Sequence, residues 1–463
     1  MINFLEILRR VREGPRIKEK EYNLKKLYPT CKNLVEKYKI RYDPDSTTFV
    51  PNDDEMADAV FEAAIDLLDA TGVYHRNTGK LIEFSRTEIE RAANNCPTKC
   101  HMGIGKEAKA FHPRQPDDST PPWCHVGNGI LSSNEQLAAR LITGYGNISN
   151  GDSIAIPNID SIEGLSIQGG TPTEILGSIR AVEIGRRKLQ LAGRPGLPIA
   201  NLVPPGGTSL GTIAASNSEF GVRPSDGWLV EFTAELKVDN SSLSIASYLL
   251  NWGGNIGAES GPMVGGYAGG AEAAAILNTA YVIAGRLVLK SNYHLTFPIH
   301  IKHSCSTPPE VLWSANISAQ AISRNINFPV LYAGYAAAGP TTRMYFYEAA
   351  AYTIGVITSG VSAQTILPAK AVKTDYMTPL AAEFCTEVAH ASAGIGREKA
   401  NEVVTELLKK YEDEIKNPPV GKRYQDSHNM ESGRPKDWYL EIYSEVIEEL
   451  NQLGLNISKQ SRS

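Results

Sequence analysis

The spacing of apolar positions changes character along the chain. Over 53–70 (DDEMADAVFEAAIDLLDA), Met56, Val60, Phe61, Ala64, Leu67 and Leu68 recur at three- and four-residue steps and share one helical face. Acidic residues open that stretch and Gly72 follows it, the signals of a helix start and stop. Ser85 and Glu88 form a Ser-x-x-Glu capping box, which predicts a second helix running to Asn94. Residues 1–120 therefore read as a helical N-terminal extension, closed by the proline-rich loop 112–122.

From Trp123 onward, short apolar or β-branched runs alternate with longer helical patterns. The predicted strands are 123–127, 153–159, 197–203, 228–232, 243–250, 294–301, 329–335 and 361–367. Helices are predicted over 173–191, 271–289, 309–324 and 341–357. Such alternation requires a parallel sheet with right-handed crossovers. About eight units is the count of a closed α/β (β/α)8 TIM barrel, here over 121–375. An open doubly wound sheet is the runner-up, but no GxGxxG follows a first strand. Residues 376–463 turn helical again, over 379–393, 397–415 and 438–453, and are expected to pack on the barrel.

Composition narrows the class. With 463 residues, 42% hydrophobic and 21% charged, the chain is that of a globular enzyme, not a disordered or fibrous protein. A net charge of −5 argues against a grip on nucleic acid. The longest apolar runs, 273–289 and 349–363, are interrupted by Arg286 or by Gly, Ser and Thr, and residues 1–10 do not resemble a signal peptide. A cytoplasmic protein without a membrane partner is expected. Cys96, Cys100 and His101, with Cys124 and His125, have zinc-binding side chains. Their spacing is not that of a CxxC knuckle, so no metal is expected there.

In a TIM barrel the functional groups sit at the C-terminal strand ends. That filter selects 200–207 after the third strand, Glu231 near the end of the fourth, and Glu259 in the loop 255–267 after the predicted fifth. It also selects His300 and His303 at the close of the sixth strand and Tyr335 at the close of the seventh. Glu259, among small and weakly polar neighbours, is a candidate acid, base or cation contact. Glu231 could instead face outward or pair with Lys237. His294 and His300, six apart on one predicted strand, would share a face as barrel-lining histidines. Tyr335 and Tyr345 could offer ring faces to a cation. The residues alone describe a barrel enzyme with an acidic, small-residue mouth.

Several segments resemble one family, the corrinoid-dependent monomethylamine methyltransferases. They are AGRPG (192–196), TSL (208–210), ELK (235–237), GGYAGG (265–270), HLTFPIHI (294–301), AGP (338–340) with Thr342, and GVSAQTILPAKAV (360–372). Their order and spacing carry the resemblance from about Phe49 to Gly454. It implies a (β/α)8 barrel assembling as a homo-oligomer, reported as a hexamer. It also implies methyl transfer from a small methylated amine to the Co(I) corrinoid (cobalamin) of a separate partner protein, with no cofactor bound tightly by the chain itself. The family carries a pyrrolysine in the loop after the third strand. Here that loop reads LPIANLVPPGGTSL (197–210), and none of the five residues from Ala200 to Pro204 is an electrophile. Of the carboxylates around the hallmark residue, one matches Glu259 and the other falls at Leu229, with Glu231 two positions on; the family's site glutamine falls at Ala333. Glu259 and Glu231 are thus the catalytic candidates, with Tyr335, His300 and Ala333 as the substrate-binding wall. The donor would be methylamine-like or a quaternary ammonium, betaines included by analogy with a related family. The alternative is a barrel that keeps assembly and corrinoid-protein contacts without this chemistry.

Overall fold

Eight short parallel strands form the centre of the computed structural model, which describes residues 2–127, 129–201, 207–368 and 373–457. They are β1 (Cys124–Val126), β2 (Ser153–Ala155), β3 (Ile199–Asn201), β4 (Gly227–Glu231), β5 (Asn255–Ser260), β6 (Tyr293–Thr296), β7 (Val330–Tyr332) and β8 (Ser362–Gln364). The hydrogen-bonded order is β3-β2-β1-β8-β7-β6-β5-β4. Consecutive strands are therefore neighbours, and β3 and β4 meet at a seam. Side chains close it. Asp226 Oδ1 accepts the Ile199 N–H at 3.0 Å, and the Tyr293 hydroxyl lies 3.2 and 3.3 Å from the Ala200 and Trp228 carbonyls.

A helix follows each strand: α1 (Glu135–Gly146), α2 (Pro172–Leu191), α3 (Ser209–Ala215), α4 (Asn240–Trp252), α5 (Ala271–Ala284), α6 (Pro309–Asn325), α7 (Arg343–Thr358) and α8 (Pro379–Ser392). This is the (β/α)8 barrel the alternation predicts. The helices Arg397–Leu408 and Asp437–Gln452 then pack, with α8, on α7. The helix expected over 397–415 stops at Leu408, and only a short 3-10 turn, Glu412–Glu414, continues it.

The fifth strand departs from the sequence reading. Residues 243–250 lie inside α4, whose start is capped by Asp239 accepting the Ser242 N–H and whose end is Gly253 at φ +81°. The true β5 is NIGAES, which reads as loop because it lacks β-branched weight. The barrel interior explains the glycine: a Cβ on Gly257 would sit 2.4 Å from the Tyr293 ring.

The N-terminal extension also differs from expectation. Its helices are present, with the Ser85 capping box complete. It contributes strands as well: Val73–His75 pairs with Lys80–Ile82 and with Lys237–Val238. A hairpin, Cys100–Met102 with Lys109–Phe111, closes the bottom of the barrel. There Cys100, Met102 and Phe111 join Trp123, Ala200, Leu229, Tyr293, Leu295, Leu331 and Ala333 in one inner cluster. The run Ala271–Leu289 is long and apolar enough to cross a membrane, yet 94% of its most apolar window is buried within the protein. It packs between the helix Asp54–Thr71 and α6 as a core helix.

Candidate active site

β4 ends on Glu231, and β5 carries Glu259 one residue before its end; the two carboxylates are direct cross-strand neighbours. Alternation along each strand sets their direction. Trp228, Val230, Ile256 and Ala258 join the helix-facing core, while Leu229 and Gly257 face the inside of the barrel, and Glu231 and Glu259 follow the inner set. Glu231 therefore faces inward. Lys237 is not its partner, because Lys237 Nζ goes to Glu19 at 2.9 Å.

The electrostatics of the pair follow from enclosure. Glu259 Oε2 is buried without a hydrogen-bond partner among the described residues. Burial first, and then the Glu231 charge, raise the Glu259 carboxyl well above the usual carboxylate range. Glu231 is exposed where it borders an open cavity, although neighbouring protein still desolvates its carboxyl. Burial and the charge of Asp239 raise it too. Neither carboxylate has an ion-pair partner among the described residues.

Around the pair stand rings and small residues. The Tyr335 phenol is raised by burial and by the charges of Glu259 and Glu231, which places it beside them. Its ring meets Phe297 edge-on at 5.6 Å. Tyr293, raised by burial with contributions from Cys100 and Glu259, also lies next to the site. Ala333 is buried in the inner cluster and its carbonyl accepts the Tyr352 hydroxyl at 2.7 Å. Tyr345 is elsewhere, buried and donating to the Ile366 carbonyl.

His300 is not brought to the pair. It lies in Ile299–His300, paired with Met263–Val264. Its Nε2 sits 3.2 Å from Glu310, and its Nδ1 accepts the Lys302 and His303 N–H groups. Both ring nitrogens are engaged with these partners, and none of these contacts joins the ring to the carboxylate pair. His294 points outward to Ser260 Oγ at 2.9 Å, so the two histidines do not share one strand face.

Of the segment read as the loop after the third strand, Ala200 lies within β3 and in the inner cluster, while 202–206 and the Asn201 side chain fall outside the described residues. The described edge of that loop is held by a residue the sequence reading missed. Buried Glu174 accepts the N–H groups of Gly170, Thr208 and Gly211 and the Thr208 hydroxyl. Burial opposes its ionisation, but the hydrogen bonds from Gly170 and Thr208 outweigh it and hold the carboxyl below its ordinary value. Glu348 braces the loop after β7 in the same way, accepting Ala337 and Ala338 N–H at 2.7 and 2.8 Å; burial pushes it up to about 7. Glu235 accepts Ala268 N–H at 2.6 Å within GGYAGG and is likewise pushed by burial to about 7. A lone acid in a loop or helix reads as a solvated charge, and only the ELK match pointed to one of the three.

The cysteines and histidines considered for metal point into different compartments. Cys96 donates to the Ala92 carbonyl; Cys100 faces the barrel, and His101, next on the same strand, is exposed. Cys124 joins the helix-facing core, while His125 faces inward to Ser153 Oγ at 2.7 Å. No group of three metal-ligating side chains gathers among the described residues.

Comparison with known proteins extends the match to the whole chain. The monomethylamine methyltransferase MtmB family profile matches residues 2–455. MtmB of Methanosarcina mazei and MtmB1 of Methanosarcina barkeri are each 27% identical over 450 residues, covering 96% of both chains. The crystal structure of Methanosarcina barkeri MtmB superposes with a TM-score of 0.93 at 26% identity, over 97% of this chain and 98% of that one. The hydroxylamine complex of MtmB superposes equally well. Matched in sequence and in backbone over nearly its full length, the chain belongs to the monomethylamine methyltransferase MtmB family.

Proposed function

We propose that this chain moves a methyl group from a methylated amine to the Co(I) corrinoid of a partner protein. The Glu231–Glu259 pair carries the reading. Two adjacent carboxylates, both raised and without a cation among the described residues, either retain a proton or take up a positive ligand. A methylammonium ion satisfies both charge and hydrogen bonding, since its N–H groups meet the unpartnered Glu259 Oε2.

The corrinoid supplies the nucleophile, Co(I). The chain's own task is to hold the donor in line with it. An amine leaves readily only from a cationic nitrogen, so Glu259 serves by keeping the ammonium charged and fixed, with Glu231 as the second carboxylate. Tyr335 and Phe297 form one wall, and Ala333 leaves room for the methyl group.

Between Ala200 and Pro204 stands no electrophile. We read the chain as a member without pyrrolysine, which holds its donor by charge instead of by a covalent adduct. Losing such capture removes a proximity contribution of up to roughly 7–11 kcal/mol for bare methylamine. A donor with further groups to grip regains part of it. The reading carries with it a homo-oligomer, which light scattering on the purified chain tests. The deciding experiment is methylation of a Co(I) corrinoid protein by this chain with a panel of methylated amines. Glu259→Gln should reduce the rate by about 30-fold or more, the effect of unpairing a partly dehydrated ion. No methyl transfer from any amine, with the fold intact, would refute the reading.

A further inference from the structure

The inference rests on the methyltransferase reading and concerns what else the donor must carry. Beside the carboxylate pair lies a cavity of about 120 Å³ between Gly207–Thr208 and the loop after β4. It has room for several heavy atoms beyond the reacting methyl and nitrogen. Glu231 stands between the two spaces: it neighbours Glu259 on one side and lines the cavity with Asp239 on the other. The cavity's remaining polar lining is hydroxyl, and its apolar lining is Leu229 and Ile245.

The hydrogen bonding inside is lopsided. Asp239 uses Oδ1 to cap α4, which leaves Oδ2 uncommitted in the described contacts. Ser242 donates to the Glu231 carbonyl and Ser241 accepts the Ser209 N–H. Among the described residues, Thr233 Oγ1 is buried without a hydrogen-bond partner, as is Glu259 Oε2. Among the described residues no lysine, arginine or aromatic side chain lines this cavity. It therefore presents acceptors, two of them carboxylates, and no counter-charge.

We propose that the methyl donor is a short N-methylated diamine. One ammonium carries the methyl group against Glu259 and Glu231; the second sits between Glu231 and Asp239 and donates to Thr233; the methylene spacer lies along Leu229 and Ile245. In the transfer, the N–CH3 bond breaks with its electron pair left on nitrogen. The methyl carbon takes its new bond from the electron pair of Co(I), and the nitrogen leaves as a neutral amine. A betaine fits poorly, because its carboxylate would face Glu231 and Asp239. A quaternary ammonium without N–H groups leaves Thr233 and both acids unpartnered.

The test uses the full chain with a Co(I) corrinoid protein and three donors: methylamine, N-methylethylenediamine and glycine betaine. Binding of each to the chain alone is measured by calorimetry. We expect kcat/KM for N-methylethylenediamine to exceed that for methylamine by about tenfold or more, the yield of one added ion pair in a partly dehydrated site. Asp239→Asn retains the helix cap and should collapse that ratio toward one. Methylated cobalt with methylamine or betaine as the better donor would overturn the diamine assignment and leave the methyltransferase reading standing. Tight diamine binding that Asp239→Asn abolishes, without transfer from any donor, would uphold the site and overturn the transfer reading. No diamine advantage in either binding or turnover overturns the assignment.

Discussion

Glu259 works against the fold that holds it. Its carboxyl is raised above the unfolded value by burial and by Glu231, so any stability it adds is present below about pH 4.5 and is lost as the pH rises through its folded value. Glu235 and Glu348, both raised by burial to about 7, act in the same direction. Tm should therefore fall between pH 6 and 8. Glu259→Gln should stabilise the chain at pH 8 by on the order of 1–3 kcal/mol, the penalty of an unsatisfied buried group, and give no gain at pH 5. Thermal melts at the two pH values check this; a variant less stable at pH 8 would show that a partner already compensates Glu259. Opposite signs for stability and methyl transfer are the mark of a residue retained for function. A cation bound at the pair should also favour ionised carboxylates and release protons. Calorimetry in buffers of different ionisation enthalpy reads that release directly. At this scale the sequence pointed to Glu231 from the end of a strand, but reached Glu259 only as a loop residue, because apolar patterning places the fifth strand too early. It was not legible for His300, because the Glu310 contact depends on how the first turn of α6 packs against the short strand Ile299–His300.

Among the elements, seven of the eight barrel strands lie in or overlap the runs that apolar patterning selects, and the eighth shows why patterning fails inside a barrel. The run LSIASYLL has strand-like composition, yet Asp239 before it and Gly253 after it make it a capped helix. NIGAES looks like loop because one face of it must be nearly without side chains where Tyr293 crosses. Gly257→Val should consequently cost about 1–3 kcal/mol by overpacking. Adding Tyr293→Ala should recover part of that loss in a double-mutant cycle by chemical denaturation. Additive losses would mean that the ring is not the obstacle. The loop braces belong to this scale as well. Glu174 ties Gly170, just before α2, to Thr208 and Gly211 at the described edge of the loop after β3, through three N–H groups and a hydroxyl. Glu174→Gln should speed amide exchange at Thr208 and Gly211 more than in the barrel strands, since an amide oxygen accepts fewer of those donors. Equal acceleration everywhere would mean a global loss of stability instead.

Across the whole molecule, the N-terminal extension is stitched into the barrel's helical shell. α5 is buried at every residue from Ala273 to Ala284, and the helix Asp54–Thr71 covers it together with α6. Polar contacts fix that cover in place. Asp58 takes Arg324 and Asn325; Asn316 and Gln320 on α6 donate to the Phe49 and Pro51 carbonyls; Asn401 accepts the Phe49 and Val50 N–H groups from the C-terminal helix Arg397–Leu408. The extension, the barrel and the C-terminal helices thus share one interface. We propose that the three segments read from sequence, 1–120, 121–375 and 376–463, fold as a single cooperative unit. Deleting residues 2–72 would bare the apolar side of α5, an exposed patch larger than the few hundred Å² that soluble monomers usually carry. The truncated chain should be insoluble or bind a hydrophobic dye strongly, whereas the full chain should melt in one calorimetric transition whose van't Hoff and calorimetric enthalpies agree. A soluble truncation with the full chain's barrel Tm, or two resolved transitions in the full chain, would show instead that the extension is a separate domain.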